Sequence, residues 1–196
     1  MAIVYPLDFP TLTRVASFEL TETNAVSFSQ SPYTFAGQTF NWGGQMWTAS
    51  IALPPMKMGS AEAKGWGAFL SSLNGVEGRF YLGDLDHCDI SGTATTVAVS
   101  GSAGDSSVTV TSNGTLLAGD MIQIGSGSDA TLHKVLVDLD GDGTLEIWPA
   151  LRKNRSDVAV TLENANGVFR LDGNSVSRSR NNQGFVTISF SAMEAV

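Results

Sequence analysis

Asp138-Leu139-Asp140-Gly141-Asp142-Gly143-Thr144-Leu145-Glu146 is the run whose spacing comes nearest to a metal loop. Oxygen ligands fall at positions 1, 3 and 5 and a glycine at 6, matching the first half of a calcium loop. The twelfth position, which should carry a bidentate glutamate, is Pro149. The flanks read as strands, not helices. Asp138, Asp140 and Asp142 are therefore read as an acidic hairpin tip between 135–137 and 145–148. Any cation there should bind only weakly.

His87-Cys88, within Asp84-Leu85-Asp86-His87-Cys88-Asp89, offers zinc-ligand chemistry, but no second Cys or His lies at ligand spacing. A nucleophile pair would need the two side chains to meet beside an orienting third group. Neighbours on an extended loop point apart, so this segment is read as a connection between two domains. No G-x-S-x-G nucleophile elbow is present. Gly125-Ser126-Gly127-Ser128 lacks the lysine and following helix of a phosphate loop and reads as a turn. Arg152-Lys153-Asn154-Arg155, and Arg170 with Arg178 and Arg180, are the basic concentrations, read as a solvated strand face or a subunit contact. Trp42, Trp47, Trp66 and Phe80 could form a sugar-stacking platform, but their phase with Ile51, Leu53 and Phe69 makes them core candidates. No catalytic, cofactor or metal residue is assigned, and the chain is not expected to be an enzyme.

The elements that position these residues are mostly strands. Arg14 to Leu20 and Ala25 to Phe35 read as two strands. Thr39 to Trp42 and Gln45 to Leu53 read as a hairpin turning at Gly43-Gly44, because two glycines accept the positive φ of a tight turn. Pro54-Pro55 ends the second strand. The helix is expected over 60–73, with Ser60 as N-cap and Glu62 in the first turn. Trp66, Phe69, Leu70 and Leu73 fall at i, i+3, i+4 and i+7, a core-facing stripe, and Asn74-Gly75 is the stop.

From Ser91 to Asn166 aromatics give way to short β-branched runs between Gly/Ser/Asp turns, with Trp148 the exception. Runs at 95–99, 107–111, 121–124, 133–137, 145–148 and 158–162 predict a small barrel or sandwich. After Gly167 the composition resembles that of the first ninety residues again, ending in a strand whose Val186, Ile188 and Phe190 face the core. The predicted fold is mainly β: a β-sandwich or split-barrel domain with one α-helix, built from 1–90 and 167–196, and an inserted β domain at 91–166.

The 196 residues suit one domain or one domain with an insert, and such a length buries a core without disulfide or metal. A 42% hydrophobic content excludes a disordered acidic solvator. Only 15% of residues are charged, which fits a surface partly covered by other subunits. The net charge of −8 argues against a dedicated nucleic-acid binder. The lone Cys88 forms no intrachain disulfide. The N-terminus lacks a basic region before an apolar run, and no stretch reaches bilayer-spanning length. Synthesis in a cytoplasm and no membrane anchor are expected.

Two stretches carry a resemblance. One runs from Trp47-Thr48-Ala49-Ser50-Ile51-Ala52-Leu53-Pro54-Pro55-Met56 through the Trp66-Gly67-Ala68-Phe69-Leu70 helix to Gly78-Arg79-Phe80-Tyr81-Leu82-Gly83-Asp84. The other is Leu117-Ala118-Gly119-Asp120-Met121-Ile122-Gln123-Ile124-Gly125, then Leu132-His133-Lys134-Val135 and Pro149-Ala150-Leu151-Arg152. Their order resembles distal tail proteins and related minor tail proteins of long-tailed bacteriophages, over most of the chain. The resemblance implies a β-sandwich or split barrel with one helix, often with a second, outward-facing β domain. It implies a structural virion protein of the tail tip, made in the host cytoplasm and assembling as a homo-oligomeric ring, usually a hexamer. Such a ring joins the tail tube protein to the tail hub protein and host-recognition parts. DNA passes its lumen without specific binding. The alternative is a lectin-like carbohydrate-binding β-sandwich acting in host recognition.

Overall fold

The structure, a computed structural model, describes residues 3–11, 14–85 and 89–196. Strands β1 (Ser17–Gln30), β2 (Gly37–Ala52) and β3 (Met56–Lys57) precede helix α1 (Ala61–Ser72), and β4 (Phe80–Leu82) follows it. Next come β5 (Val97–Gly101), β6 (Ser107–Ser112), β7 (Thr115–Leu116), β8 (Met121–Ile124), β9 (Thr131–Val135), β10 (Leu139–Asp140), β11 (Gly143–Trp148) and β12 (Arg155–Thr161). β13 (Gly167–Leu171), β14 (Arg178–Arg180) and β15 (Phe185–Glu194) complete the described strands.

Strands from both ends of the chain build one antiparallel sheet in the order β1-β2-β15-β13-β4, with β3 and β14 pairing the start of β15. The intervening strands β11-β6-β5-β12-β8-β9 close into a barrel, and β7 and β10 form a separate two-stranded ribbon. The chain is thus mainly β with one helix, as the periodicity predicts.

The sheet owes its buried face to residues two apart. Ile51 stands opposite both Phe18 and Phe190, and Ala49 opposite Leu20 and Ala192. In β15, Val186, Ile188, Phe190 and Ala192 are buried while Phe185 is exposed, the alternation a half-covered strand requires. Helix α1 covers this face. Ser60 Oγ accepts a hydrogen bond from Ala63 N–H at 3.2 Å, the predicted N-cap. The helix ends at Asn74 and Gly75, both with positive φ. Trp66, Phe69, Leu70 and Leu73 are all buried. Phe9 and Phe80 join Trp66 and Phe69 in edge-on and tilted ring contacts with centroids 5.3–6.2 Å apart. Gly67 is in the helix for a packing reason: a Cβ there would lie 2.9 Å from Arg178 Nη1, whose guanidinium donates to Gly67 O and Ser71 Oγ.

The barrel holds its own core of Val99, Val108, Val110, Ile122, Ile124, Val135, Leu145 and Ile147. Met121, Leu132 and Trp148 project the other way and belong to the core under the sheet. Trp47 binds the two bodies together. Its indole N–H donates to Leu132 O at 3.0 Å, and its ring meets Trp148 edge-on at 4.5 Å.

Two expectations about the first third need correction. The expected strands at 14–20 and 25–35 are one strand, β1. The turn expected at Gly43-Gly44 does not exist: β2 runs through both glycines, and the chain reverses at 31–36. Gly43 does take positive φ (+74°), but it uses it in a bulge. The acidic segment also does more than cap a hairpin, since Leu139 and Asp140 pair with Leu116 and Thr115.

Candidate functional site: a projecting hairpin arm

β1 and β2 outrun the sheet that holds them. From Asn24 to Gln30 and from Gly37 to Gly44 every residue is exposed, so neither face of this part packs on the body. At about 3.3 Å per residue it projects roughly 20–25 Å. Its tip is held by Ser31 N–H donating to Ala36 O and Phe35 N–H to Ser31 O, each at 3.0 Å. Phe35 occupies positive φ (+56°) there.

The arm begins at the bulge. Asn24 pairs with Gln45 but Val26 with Asn41, so β2 passes Trp42-Gly43-Gly44 opposite Ala25 alone. Asn41 Oδ1 accepts from Gly43 N–H at 2.8 Å and fixes the bend. Beyond it, Phe40 and Trp42 share one face, their rings edge-on at 4.6 Å. Phe28 stands opposite Thr39, next to Phe40 in sequence and hence on the other face, where it covers Gly37. Val26 shares that second face. Tyr33 and Phe35 add exposed rings at the tip. No charged residue occurs between Glu22 and Lys57.

The root is clamped by the barrel. Trp148 Nε1–H donates to Asn24 Oδ1 at 2.9 Å, and Ala150 N–H to Gln45 Oε1 at 2.8 Å. Arg152 Nη2 lies 2.6 Å from both Gln45 O and Glu194 Oε2. Glu194, almost wholly buried, also accepts from Trp47 N–H at 3.3 Å. Lys134 pairs with Glu22 and sits 5.4 Å from the Trp47 ring centroid.

Behind the clamp lies His133, fully buried. Its Nδ1–H donates to Pro149 O at 2.7 Å, and Nε2 faces Thr131 Oγ1 at 2.8 Å. Burial pushes its pKa down to about 4, with the nearby Arg152 and Arg155 acting the same way. It is therefore neutral at pH 7 and serves as a packing and hydrogen-bonding group.

The residues weighed in the sequence are scattered. Asp138 Oδ1 accepts from Ala118 N–H at 2.7 Å and Asp142 Oδ1 from Ser112 N–H at 2.9 Å, so one carboxylate caps a loop and the other the end of β6. Among the described residues no group of three or more His, Cys, Asp or Glu is placed to hold a metal ion. His87 and Cys88 lie outside the described residues. Ser126 precedes a short 3-10 turn formed by Gly127–Asp129. Lys153 and Arg155 both pair with Asp129. These hydrogen bonds, that to Lys153 foremost, hold the Asp129 carboxyl below its ordinary pKa. With Arg152 paired to Glu194 and Arg178 on the helix, most of the basic concentrations are spent inside the chain. Trp47, Trp66 and Phe80 are core, but Trp42, expected there with them, is 70% exposed on the arm. Reading Gly43-Gly44 as a turn hid the arm; the long charge-free run was the signal that marks it.

Among the described residues no helix is long and apolar enough to cross a membrane. Compared with known proteins, the chain matches no protein-family model and no curated protein sequence.

Proposed function

We propose that this chain is a structural protein of a phage tail tip, a subunit of a ring that joins the tail tube to the hub and lets DNA pass. The observation that carries the reading is the arm. An isolated globular protein rarely holds so many aromatic side chains in water on an uncharged projection, whereas a subunit of an assembly does so until its neighbours cover them. The root supports the same reading: the hydrogen bonds from the 148–152 segment aim the arm rather than let it swing. The sheet-and-helix body drawn from both chain ends, with a closed barrel set between them, agrees with the resemblance to distal tail proteins.

The test is direct imaging. Negative-stain micrographs of the purified protein should show hollow rings with a lumen wide enough for duplex DNA. Compact particles without a lumen, together with retention on a glycan column and elution by free sugar, would instead favour the lectin-like module.

A further inference from the structure

The arm carries aromatic side chains on both of its faces, and this restricts what can cover it. Phe40 and Trp42 stand on one face, beside Ser27, Ser29 and Gln38; Val26 and Phe28 stand on the other, beside Thr39 and Asn41. A hairpin that lay on a single surface would need one apolar face and would keep the other polar, the usual alternation of a half-buried strand. Here each face holds large apolar side chains in water: Phe28 is 63% and Trp42 70% accessible. We propose that each arm is buried on both faces between neighbouring copies of this chain.

Three observations select a second copy as the occupant. The first is charge. Two copies each bearing −8 repel one another, so their contact is least opposed through surface that carries no charge. The arm lies wholly within the run from Thr23 to Met56, which has none. The second is area. Phe28, Tyr33, Phe35, Phe40 and Trp42 each expose more than half of their surface. At the size of aromatic side chains they offer roughly 600 Å² over the two faces and the tip together, most of the ~800 Å² that each partner contributes to a standard interface. The third is backbone. Among the described residues β1 is the outermost strand of the sheet, paired with β2 alone, so its far edge presents a row of N–H and C=O groups. A lipid surface would leave those groups unsatisfied, while a strand from another copy satisfies them. Because the two faces differ, the contact is head-to-tail, the kind that closes into a ring when the rotation allows.

This inference rests on the ring reading, and one experiment separates the two. Trp42→Ser and Phe28→Ser each remove one large ring, from opposite faces and from already exposed positions, so the monomer should keep its far-UV spectrum and Tm. Association is followed by sedimentation velocity, and the particles are imaged. Each variant alone should weaken self-association at least tenfold relative to wild type. If only one of the two does, the arm is covered on one side and the inference is overturned. If wild type forms hollow rings and both variants form them equally well, the inference falls and the ring reading stands. If both variants dissociate wild-type assemblies that have no lumen, the two-sided arm contact stands and the ring reading falls. A wild type that stays monomeric at high concentration overturns the contact between copies.

Discussion

The indole N–H of Trp148, in the last barrel-wall strand before the 149–152 turn, donates to Oδ1 of Asn24, the residue after which the arm leaves the sheet. These residues are 124 positions apart, and the bond makes the barrel a brace for the arm. Trp148→Phe keeps an aromatic ring against Trp47 but removes the N–H donor and part of the buried indole. It should cost about 1–3 kcal/mol and speed amide exchange at 24–30 and 37–45 more than elsewhere. Equal protection of the arm in both proteins would show that the brace is not what aims it.

Arg152 and Glu194 should be strongly coupled. Their side chains are 16% and 3% exposed, and the pair also holds Gln45 O and Trp47 N–H. Removing either partner leaves a charge uncompensated in a poorly solvated site, a loss of about 3–5 kcal/mol. Arg152→Met with Glu194→Leu should lose much less than the two single changes together. Additive losses in urea denaturation would mean that the two charges do not compensate each other.

His133 makes stability depend on pH. Its folded pKa of about 4 lies below the ordinary 6.5, so between those values the unfolded chain binds a proton that the native chain does not. Stability therefore rises with pH across that window. The His133 contribution is complete above about pH 6.5 and is lost as pH falls toward 4, a change of order 3 kcal/mol. His133→Gln should flatten that part of a Tm-versus-pH curve. An unchanged slope in the variant would assign the acid sensitivity to other groups.

The helix stripe should dominate the stability of the sheet body. Trp66 is fully buried and Phe69 nearly so, and each meets two or more other rings. Trp66→Ala or Phe69→Ala should cost roughly 3–5 kcal/mol, seen as a lowered denaturation midpoint. A wild-type midpoint would contradict the packing.

Calcium should leave the protein unchanged. Asp138 and Asp142 already accept from Ala118 and Ser112 backbone N–H, and the twelfth loop position is Pro149. With a dissociation constant in the millimolar range, about 1 mM calcium contributes only ~0.4 kcal/mol. Melting curves with calcium and with chelator should coincide. A shift of several degrees, abolished by Asp140→Asn, would make the loop a metal site.

The sequence by itself determined the local elements whose signals are written in neighbouring residues. The i, i+3, i+4, i+7 stripe at Trp66, Phe69, Leu70 and Leu73 marks α1, because burying one side of a helix demands that period. Short β-branched runs between turn residues mark the barrel strands in the same way. Gly43-Gly44 shows where this stops. Two glycines license positive φ, but a tight turn and a bulge both use it, and only pairing with β1 decides between them. Trp42 and Trp47 make the same point. Both are tryptophans on one strand, yet Trp47 is under the barrel at Leu132 and Trp148, while Trp42 is beyond the reach of any covering element. Burial depends on what arrives from elsewhere in the chain, and the barrel residues that meet Trp47, Leu132 and Trp148, lie 85 and 101 positions later. Tertiary structure alone decided that residues 24–44 of the charge-free run stand out from the body as a two-faced arm while 45–56 pack into it.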